Sequence, residues 1–364
     1  MTILIDASLR CNLNCRYCYN APLRRANVYE DINLDAIKGA VKRLVDLGWS
    51  RDIVLHGGEP LYWPREVLEE LLAFSYKLTG KSALQTNGTL IDDEVIDLFK
   101  RYNTYVGVSI DGPGELNKFR CGPKVTEVVI NNIRRLVEEK IGVGVIIVVH
   151  RANALQPQRE RLKEFILWLK ELGVTGRMNP CTHPDPSIQL TPQELTMFYL
   201  DMASFLEGHG IRNWSPFRDI VGALMGKPDV VCTFRGCDPF ATPGGICVDS
   251  RGEIVPCHKF ADKMFYYDGP SQPTRLEVLM NTDCKGCRYF YNCRGGCPGN
   301  AVGFDWRNKT RWCFAWKTLF MRYERLLRFM GIEPVIKLPG EYSVEELVFR
   351  PRPHSDWSKA VRRK

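Results

Sequence analysis

The stretch that decides how this chain folds is Cys11-Asn-Leu-Asn-Cys15-Arg-Tyr-Cys18, which places three cysteines on one short loop in a C-x3-C-x2-C spacing. Three thiolates leave one iron of a four-iron cluster without a protein ligand, so that iron can bind another molecule. A zinc loop, or three unrelated buried thiols, would use the same residue type. The flanking sequence favours the iron–sulfur site, because a strand-like run (Ile3-Leu-Ile) precedes the loop and Gly57-Gly58-Glu59-Pro60 follows the next strand-like run.

With Tyr17 directly before the third cysteine, this combination resembles the radical S-adenosylmethionine (SAM) superfamily. The resemblance implies that Cys11, Cys15 and Cys18 are the catalytic ligands of a [4Fe–4S] cluster whose free iron chelates SAM. It also implies that SAM is cleaved reductively to a 5′-deoxyadenosyl radical, which abstracts hydrogen from an unactivated C–H bond.

The same resemblance assigns SAM contacts to the ends of the predicted strands, where α/β proteins build their sites. Backbone carbonyls of the turn at 57–60 would accept hydrogen bonds from the SAM amino group, Ser109 and Arg120 would contact its ribose and carboxylate, and Tyr17 would pack beside the adenine. A surface arginine or an aromatic core contact would look the same in the sequence. The predicted SAM-site residues are Tyr17, Gly57, Gly58, Glu59, Pro60, Asn87, Ser109, Asp111 and Arg120.

From residue 1 to about residue 210, short β-rich runs alternate with segments of helical period, which is typical of parallel strands joined by crossover helices. Six such units are too few for a closed eight-unit barrel, so we predict an α/β fold with an open, partial (βα)6 TIM barrel, as the family resemblance also implies. Asn33 and Thr191 are predicted helix N-caps, and Gly48 and Gly173 are predicted helix stops. The predicted strands lie near 3–8, 52–56, 82–86, 105–110, 144–149 and 175–179.

The composition changes after residue 210, and the predicted domains are the barrel at 1–210, a cysteine-rich domain at 211–331 and a basic tail at 332–364. The 364-residue chain is 45% hydrophobic and 25% charged, with a formal charge of +8, as in an ordinary enzyme. Its basic tail is either solvated or an arm for an acidic peptide, a carrier protein or RNA, and we do not expect nucleic acid as the main partner. No apolar run is long enough to span a membrane. Fourteen cysteines without a secretory leader indicate reduced thiolates in the cytoplasm.

A second cysteine set runs Cys237-x14-Gly252-x4-Cys257, then Cys284-x2-Cys287-x5-Cys293-x3-Cys297, and then Cys313. This spacing, with a predicted hairpin over 246–255, resembles the SPASM extension, which carries two auxiliary clusters. The resemblance implies an outer cluster on Cys284, Cys287, Cys293 and Cys313 and an inner one on Cys232, Cys237, Cys257 and Cys297, hence three [4Fe–4S] clusters in all. A zinc ribbon over 284–297 remains open. So does an inner cluster with an open iron, if Cys232 is free; Cys247 fits better as a strand residue of the hairpin.

The leading functional hypothesis is a peptide maturase that crosslinks, epimerises or oxidises a peptide or small protein, with electrons from a low-potential donor such as a flavodoxin or ferredoxin. Anaerobic sulfatase maturases resemble the chain in size and in both domains, but they carry an aspartate after the cysteine equivalent to Cys257. Here that position is His258, a possible acid or base or a structural residue, which makes formylglycine formation less favoured.

Two further alternatives stay open. We expect no room before Cys11 for a peptide-recognition domain, which supports a small-molecule or cofactor-biosynthesis dehydrogenase as the second enzymatic reading. An iron–sulfur electron carrier without a SAM site is the non-enzymatic reading.

Overall fold

The chain folds as two compact units. The computed structural model describes residues 2–25, 31–188 and 245–257 of the first unit and residues 189–239, 244, 259 and 273–347 of the second. The limits of these units differ from the predicted domain limits at 210 and 331, which stay a prediction.

The secondary structure of the described residues alternates strands and helices through most of the first unit. The strands are β1 (Ile3–Asp6), β2 (Ile53–Leu55), β3 (Ser82–Thr86), β4 (Thr104–Ser109), β5 (Val143–Val149), β6 (Thr175–Pro180), β7 (Trp214–Ser215), β8 (Ile246–Asp249) and β9 (Ile254–Pro256). The helices are α1 (Ala21–Arg25), α2 (Leu34–Asp46), α3 (Arg65–Thr79), α4 (Asp93–Arg101), α5 (Pro123–Glu138), α6 (Arg151–Ala154), α7 (Gln158–Glu171), α8 (Pro192–Gly208), α9 (Phe217–Leu224), α10 (Arg275–Asn281), α11 (Phe290–Cys293), α12 (Cys313–Phe329) and α13 (Val344–Leu347). No described helix is long and apolar enough to cross a membrane.

The sheet of the first unit has the strand order β6-β5-β4-β3-β2-β1-β8-β9. The strands from β1 to β6 pair in parallel, with Ile5 opposite Leu55 where β1 meets β2. Because β1 has β2 on one side and β8 on the other, it does not close onto β6, and the barrel is open. The prediction of a partial barrel with six parallel strands is confirmed.

The predicted hairpin is present as the antiparallel pair β8 and β9, with Cys247 opposite Val255. The sequence analysis assigned it to the cysteine-rich domain, whereas β8 pairs in parallel with β1 and so extends the sheet of the first unit. Long-range pairing of this kind leaves no local period in the sequence, which is why the strand–helix alternation did not reveal it.

Helix ends follow the predicted signals. The Asn33 side chain accepts a hydrogen bond from Ala36 N, and Thr191 caps α8 in a capping box with Glu194. Gly48 and Gly173 both adopt φ of +72°, each directly after the C-cap residue of a helix. The buried residues of α2, which are Ile37, Ala40, Val41 and Leu44, repeat every three to four positions and form one apolar face.

An aromatic core orders the second unit around α8 and α12. The rings of Tyr199 and Trp316 lie 5.3 Å apart, and those of Phe234 and Phe320 lie 5.4 Å apart. Aromatic pairs at this spacing contribute beyond their buried area. Cys293 ends α11 and Cys313 begins α12, so regular elements fix both of these cysteines.

Candidate active site

The carboxyl ends of β1 to β4 surround one pocket in the first unit. Parallel strands present these ends at the same edge of a sheet, so the loops that follow them meet there. The cysteine loop follows β1, the glycine-rich turn follows β2, and Asn87 and Ser109 stand at the ends of β3 and β4. The pocket is lined by Cys11, Leu13, Cys15, Cys18, Arg24, His56, Gly57, Gly58, Glu59, Gln85, Thr86, Asn87, Ser109 and Arg120.

Most of the predicted SAM-site residues therefore meet around this pocket. Among the described residues, the predicted members that do not line it are Tyr17, Pro60 and Asp111. Pro60 is buried at the start of a 3-10 turn (Pro60–Tyr62), and Asp111 is fully buried. These two residues support the pocket walls from inside the fold.

The two glycines bring the turn after β2 against the cysteine loop. Gly58 N donates to Ser8 O at 3.1 Å, and Glu59 N donates to Arg10 O at 2.9 Å. A Cβ at position 58 would stand 2.1 Å from Arg10 O, and one on Gly57 would stand 2.6 Å from Ser8 O. Residues without a Cβ at these two positions therefore allow the two backbone segments to approach each other closely.

Glu59 ties the glycine-rich turn to the end of β3. Its carboxylate accepts hydrogen bonds from Thr86 Oγ1 at 2.7 Å, Asn87 N at 2.6 Å and Leu61 N at 3.0 Å. Burial raises the pKa of Glu59, and these hydrogen bonds partly oppose the rise by stabilising the carboxylate. The buried carboxylate thus holds two of the pocket-lining loops in one arrangement.

Asn87 joins the end of β3 to the cysteine loop. Its Nδ2 donates to Asn12 Oδ1 at 2.8 Å and lies 4.0 Å from Cys11 Sγ. Its Oδ1 accepts from both the backbone N and the Oγ1 of Thr89. Since both ends of the amide are engaged, the side chain orientation is defined by its partners.

Asp111 anchors the third cysteine's neighbour, Tyr17, from inside the fold. Its carboxylate accepts hydrogen bonds from Tyr17 OH, from His150 Nε2 at 3.1 Å and from Val148 N at 2.9 Å, and it lies 3.8 Å from Arg120. Because His150 Nδ1 accepts from Ala152 N, the His150 proton sits on Nε2. Burial opposes ionisation of Asp111, but Arg120 and His150 outweigh it and hold its pKa below the usual value.

The three thiols of the cysteine loop lie in an environment that suits metal ligation. Burial raises the pKa of Cys11, and it raises the pKa of Cys15 to about 12 even though Arg120 Nη1 lies 4.0 Å from Cys15 Sγ. Buried thiolates therefore need a positive partner, which an iron–sulfur cluster supplies. The donor set fits such a cluster. Among the described residues, no three Cys, His, Asp or Glu side chains are grouped so as to hold one metal ion.

Arg120, which lines the pocket, has one N–H group without an acceptor among the described residues. Its Nε is buried and finds no hydrogen-bond partner among the described residues. Its guanidinium also lies 5.6 Å from the centre of the Tyr17 ring. A buried guanidinium N–H without an acceptor fits an anionic group of a ligand. The carboxylate contact that the resemblance implies for Arg120 stays a prediction.

The sequence analysis missed His56, which also lines the pocket. Its Nδ1 lies 3.0 Å from Asp6 Oδ1, and its Nε2 lies 3.3 Å from Tyr19 OH. The Asp6 carboxylate is buried and the His56 side chain is 13% exposed. His56 directly precedes Gly57, so its position beside the motif was the signal that could have identified it.

In the second unit, the four cysteines predicted for the outer cluster are close to one another. Burial raises the pKa of Cys293 well above its usual range, and the neighbouring Cys313, Cys284 and Cys287 raise it further. Burial likewise raises the pKa of Cys284 to about 12, with further contributions from Cys287 and Cys313. Two of the four thiols are buried and two are partly buried. Neighbouring thiols that disfavour one another's ionisation fit a site where metal replaces their protons.

The structure groups the predicted inner ligands only in part. The Cβ atoms of both Cys232 and Cys237 lie within 3.3 Å of the position that a Cβ on Gly244 would take. Cys257 belongs to the first unit, whereas Cys232, Cys237 and Cys297 belong to the second, so the four-cysteine set stays a prediction. The predicted acid–base residue His258 lies outside the described residues.

Comparisons with known proteins find relatives of this chain by sequence. The model of the radical SAM superfamily matches residues 6–156, a span that contains every residue of the pocket lining. A cysteine-type anaerobic sulfatase-maturating enzyme of Clostridium novyi (strain NT) is 25% identical over 339 residues, covering 82% of this chain and 87% of that enzyme. The likeness thus extends beyond the superfamily domain into the cysteine-rich second unit.

Solved structures share the fold. Native anSMEcpe with bound AdoMet and Cp18Cys peptide has a TM-score of 0.72 at 23% identity, covering 91% of this chain and 98% of that one. Streptococcus suis SuiB bound to precursor peptide SuiA has a TM-score of 0.57 at 14% identity, covering 86% of this chain and 75% of that one. At these identities the likeness establishes the fold.

Proposed function

We propose that the protein cleaves SAM reductively and abstracts hydrogen from a peptide or small-protein substrate, since the model of the radical SAM superfamily matches its residues 6–156. The observation that carries the proposal is the single pocket that brings Cys11, Cys15 and Cys18 together with the glycine-rich turn and Arg120. When bound, a [4Fe–4S] cluster and SAM supply one-electron cleavage of a sulfonium bond, which makes unactivated C–H bonds reactive.

The residues of the pocket would then hold and orient the SAM molecule. Cys11, Cys15 and Cys18 are the candidate cluster ligands. The buried Nε of Arg120 is a donor for the SAM carboxylate. The carbonyl of Gly57 accepts one hydrogen bond, from Asn20 Nδ2 at 3.0 Å, and keeps a second lone pair for an ammonium group.

The proposed substrate class is a peptide. Its support is the sulfatase-maturating function named for the relative and the peptides bound in the two structural neighbours. Crosslinking, epimerisation and oxidation of a residue all begin with hydrogen abstraction, so the pocket is compatible with each. The second enzymatic candidate is a dehydrogenase of a small molecule or of a cofactor precursor.

Sulfatase maturation is the specific peptide reaction that one observation favours. The relative from Clostridium novyi is matched over 82% of this chain, which includes most of both units. His258 takes the place at which the maturases of this resemblance carry an aspartate, so a proton acceptor other than a carboxylate would have to serve. His56 is a pocket-lining imidazole that could be compared with His258 by mutation.

We propose two auxiliary [4Fe–4S] clusters in addition to the catalytic one. The outer set is supported by the mutual proximity of the thiols of Cys284, Cys287, Cys293 and Cys313. The clusters would receive electrons from a low-potential donor such as a flavodoxin or ferredoxin and would accept the electron left on an oxidised substrate. A reducing compartment such as the cytoplasm would keep these thiolates available.

The test of the proposed function uses anaerobically reconstituted full-length protein, with iron per chain and 5′-deoxyadenosine release under a low-potential reductant as readouts. We expect about twelve irons per chain from three four-iron clusters. Cys15→Ala should abolish deoxyadenosine release and retain the auxiliary iron, and Cys293→Ala should lose about four irons from the outer site.

Cys121→Ala is the matched control, because Cys121 lies outside all three predicted ligand sets and its thiol bonds only to Asn117 and Thr126 in the described structure. It should keep the iron content and the deoxyadenosine release of the unmodified protein. Deoxyadenosine release by Cys15→Ala would refute the assignment of the catalytic loop. Zinc in the carboxyl-terminal cysteines, with no SAM cleavage, would replace the proposal with a metal-binding scaffold.

The substrate class is tested with peptides. A cysteine-containing sulfatase peptide that gains a hydrazine-reactive aldehyde in step with deoxyadenosine release would establish formylglycine formation. A thioether or carbon–carbon crosslink in a cysteine- or aromatic-rich peptide would establish a crosslinking maturase. Deoxyadenosine release that responds only to small metabolites would exclude the peptide reading.

A further inference from the structure

The second unit contains a buried arginine that belongs to no sequence motif. Arg275 begins α10 and is 0% exposed. Its backbone N donates to Asp238 Oδ2 at 2.8 Å, while its side chain runs into the region of the cysteine-rich loops. A fully buried arginine is rare unless it is paired, because transfer of its charge from water is costly.

The hydrogen bonds of this side chain use every donor that it has. Nε donates to Trp306 O at 2.6 Å, Nη1 donates to Cys237 O at 3.4 Å and Gly296 O at 3.1 Å, and Nη2 donates to Gly295 O at 3.1 Å and Asn308 O at 3.0 Å. A guanidinium has five N–H groups in a fixed fork, so five backbone carbonyls satisfy it completely. A lysine has only three donors and no such geometry.

Each of the three segments that Arg275 joins contains, adjoins or leads to a predicted cluster ligand. The first contains Cys237 itself. The second is the Gly295-Gly296 turn between Cys293 and Cys297, and the third is the loop of 306–308 that leads to Cys313. Gly295 and Gly296 adopt φ of +74° and +71°, so this turn is shaped around the guanidinium at positions that favour glycine.

The charge of Arg275 lacks an ion-pair partner in the part of the chain that the structure describes. The acidic groups that act on it electrostatically are the thiols of Cys237, Cys297 and Cys284 and the carboxylate of Asp238, which is bonded to its backbone N. Carbonyl dipoles solvate the guanidinium but do not neutralise it. An iron–sulfur cluster with four thiolates carries net negative charge, and nearby charge is one of the factors that set its potential.

We propose that Arg275 is a positioning residue for the auxiliary clusters, which fixes three ligand-bearing loops through its five N–H groups and supplies the positive charge that raises the reduction potential of those clusters. The inference rests on the proposed function for the presence of the clusters. It concerns a residue that contacts neither the substrate nor SAM. A positive charge favours the more negative, reduced state of a cluster, so its removal lowers the potential.

The test is a redox titration, monitored by electron paramagnetic resonance, of reconstituted full-length protein in the Cys15→Ala background, which removes the signal of the catalytic cluster. Arg275→Gln should shift the midpoint potential of an auxiliary cluster to a more negative value. Arg275→Lys keeps the charge, so its midpoint should stay at that of the parent protein while its iron content per chain falls. Arg322→Gln is the control, because this arginine of the same unit lies on α12 outside the three loops, is 32% exposed and is paired with Glu207, and it should change neither quantity.

Several results would overturn the inference. An unchanged midpoint in Arg275→Gln would remove the electrostatic role, and full iron loading in Arg275→Lys would remove the positioning role. If Arg275→Gln does not fold, Arg275→Lys still decides, since a midpoint shift despite the retained charge would contradict the electrostatic role. Two further measurements separate this inference from the proposed function. A parent protein that takes up no iron would refute the clusters. In thermal unfolding of the unloaded protein, a melting temperature of Arg275→Lys equal to that of Arg322→Gln would refute the loop-fixing role.

Discussion

The contact between the glycine-rich turn and the cysteine loop can be tested with one methyl group. In Gly58→Ala, the added carbon would stand 2.1 Å from Arg10 O, 2.3 Å from Leu9 O and 2.5 Å from Leu9 C. Ordinary contacts of a Cβ begin at 3.4 Å. The two segments must therefore separate by the difference between 2.1 and 3.4 Å, about 1.3 Å, and all three atoms met are backbone atoms that cannot rotate away.

That displacement moves the loop that carries Cys11. A misplacement of about 1 Å near reacting groups costs about 100-fold in rate, and overpacking typically destabilises by about 1–3 kcal/mol. We therefore expect Gly58→Ala to release 5′-deoxyadenosine about 100-fold more slowly, with a free energy of unfolding lower by about 1–3 kcal/mol. Chromatographic measurement of deoxyadenosine and urea unfolding of the same preparation give the two quantities.

Gly39→Ala is the matched control. Gly39 lies on the exposed side of α2, and a Cβ there meets nothing within 4 Å. Alanine in a helix interior is favoured over glycine by about 0.5–1 kcal/mol, so this variant should be slightly more stable and equally active. A Gly58→Ala protein with full iron content and an unchanged rate of deoxyadenosine release would show that the close backbone approach does not position the cysteine loop.

The remaining predictions concern stability. Asp111→Asn leaves the Arg120 charge unpaired in a buried site and should lower the free energy of unfolding by about 3 kcal/mol. The pKa of Asp111 is lowered in the folded protein. The stability that Asp111 contributes is therefore present above the unfolded pKa of about 3.9 and is lost as pH falls through the folded pKa. Acid unfolding of Asp111→Asn should lack this loss, and an acid dependence parallel to that of the unmodified protein would contradict the prediction. Three partners, first of all Arg288, lower the pKa of Glu324 to about 2, so its contribution fades between about pH 4.3 and that value. Glu324→Gln should cost about 1 kcal/mol, because the half-exposed arginines around it are screened by water, and urea titrations at pH 7 and pH 3 test this. Thr191→Ala removes the cap of α8 and should lower the free energy of unfolding by about 1 kcal/mol, with Thr191→Ser as the variant that should retain it.

Local signals in the sequence were sufficient for the frame of the first unit. The alternation of β-rich and helical periods predicted the six parallel strands, since burial of one face imposes its period on the chain. Caps such as Asn33 and Thr191 were predictable because their hydrogen bonds involve residues only three positions away. The spacing of the cysteine loop and the turn at 57–60 predicted most of the pocket, because parallel strands bring their carboxyl ends to one edge.

Tertiary structure alone decided the contacts between distant segments. It brought Asp6 and His56 together across 50 residues of sequence, paired β8 with β1, and buried Arg275 among carbonyls from three loops. The sequence around a single histidine, strand or arginine has no periodic pattern from which its distant partner could be predicted. The partner is selected by the free energy of burying charge and backbone polar groups, and that free energy is defined only once the distant segments have packed.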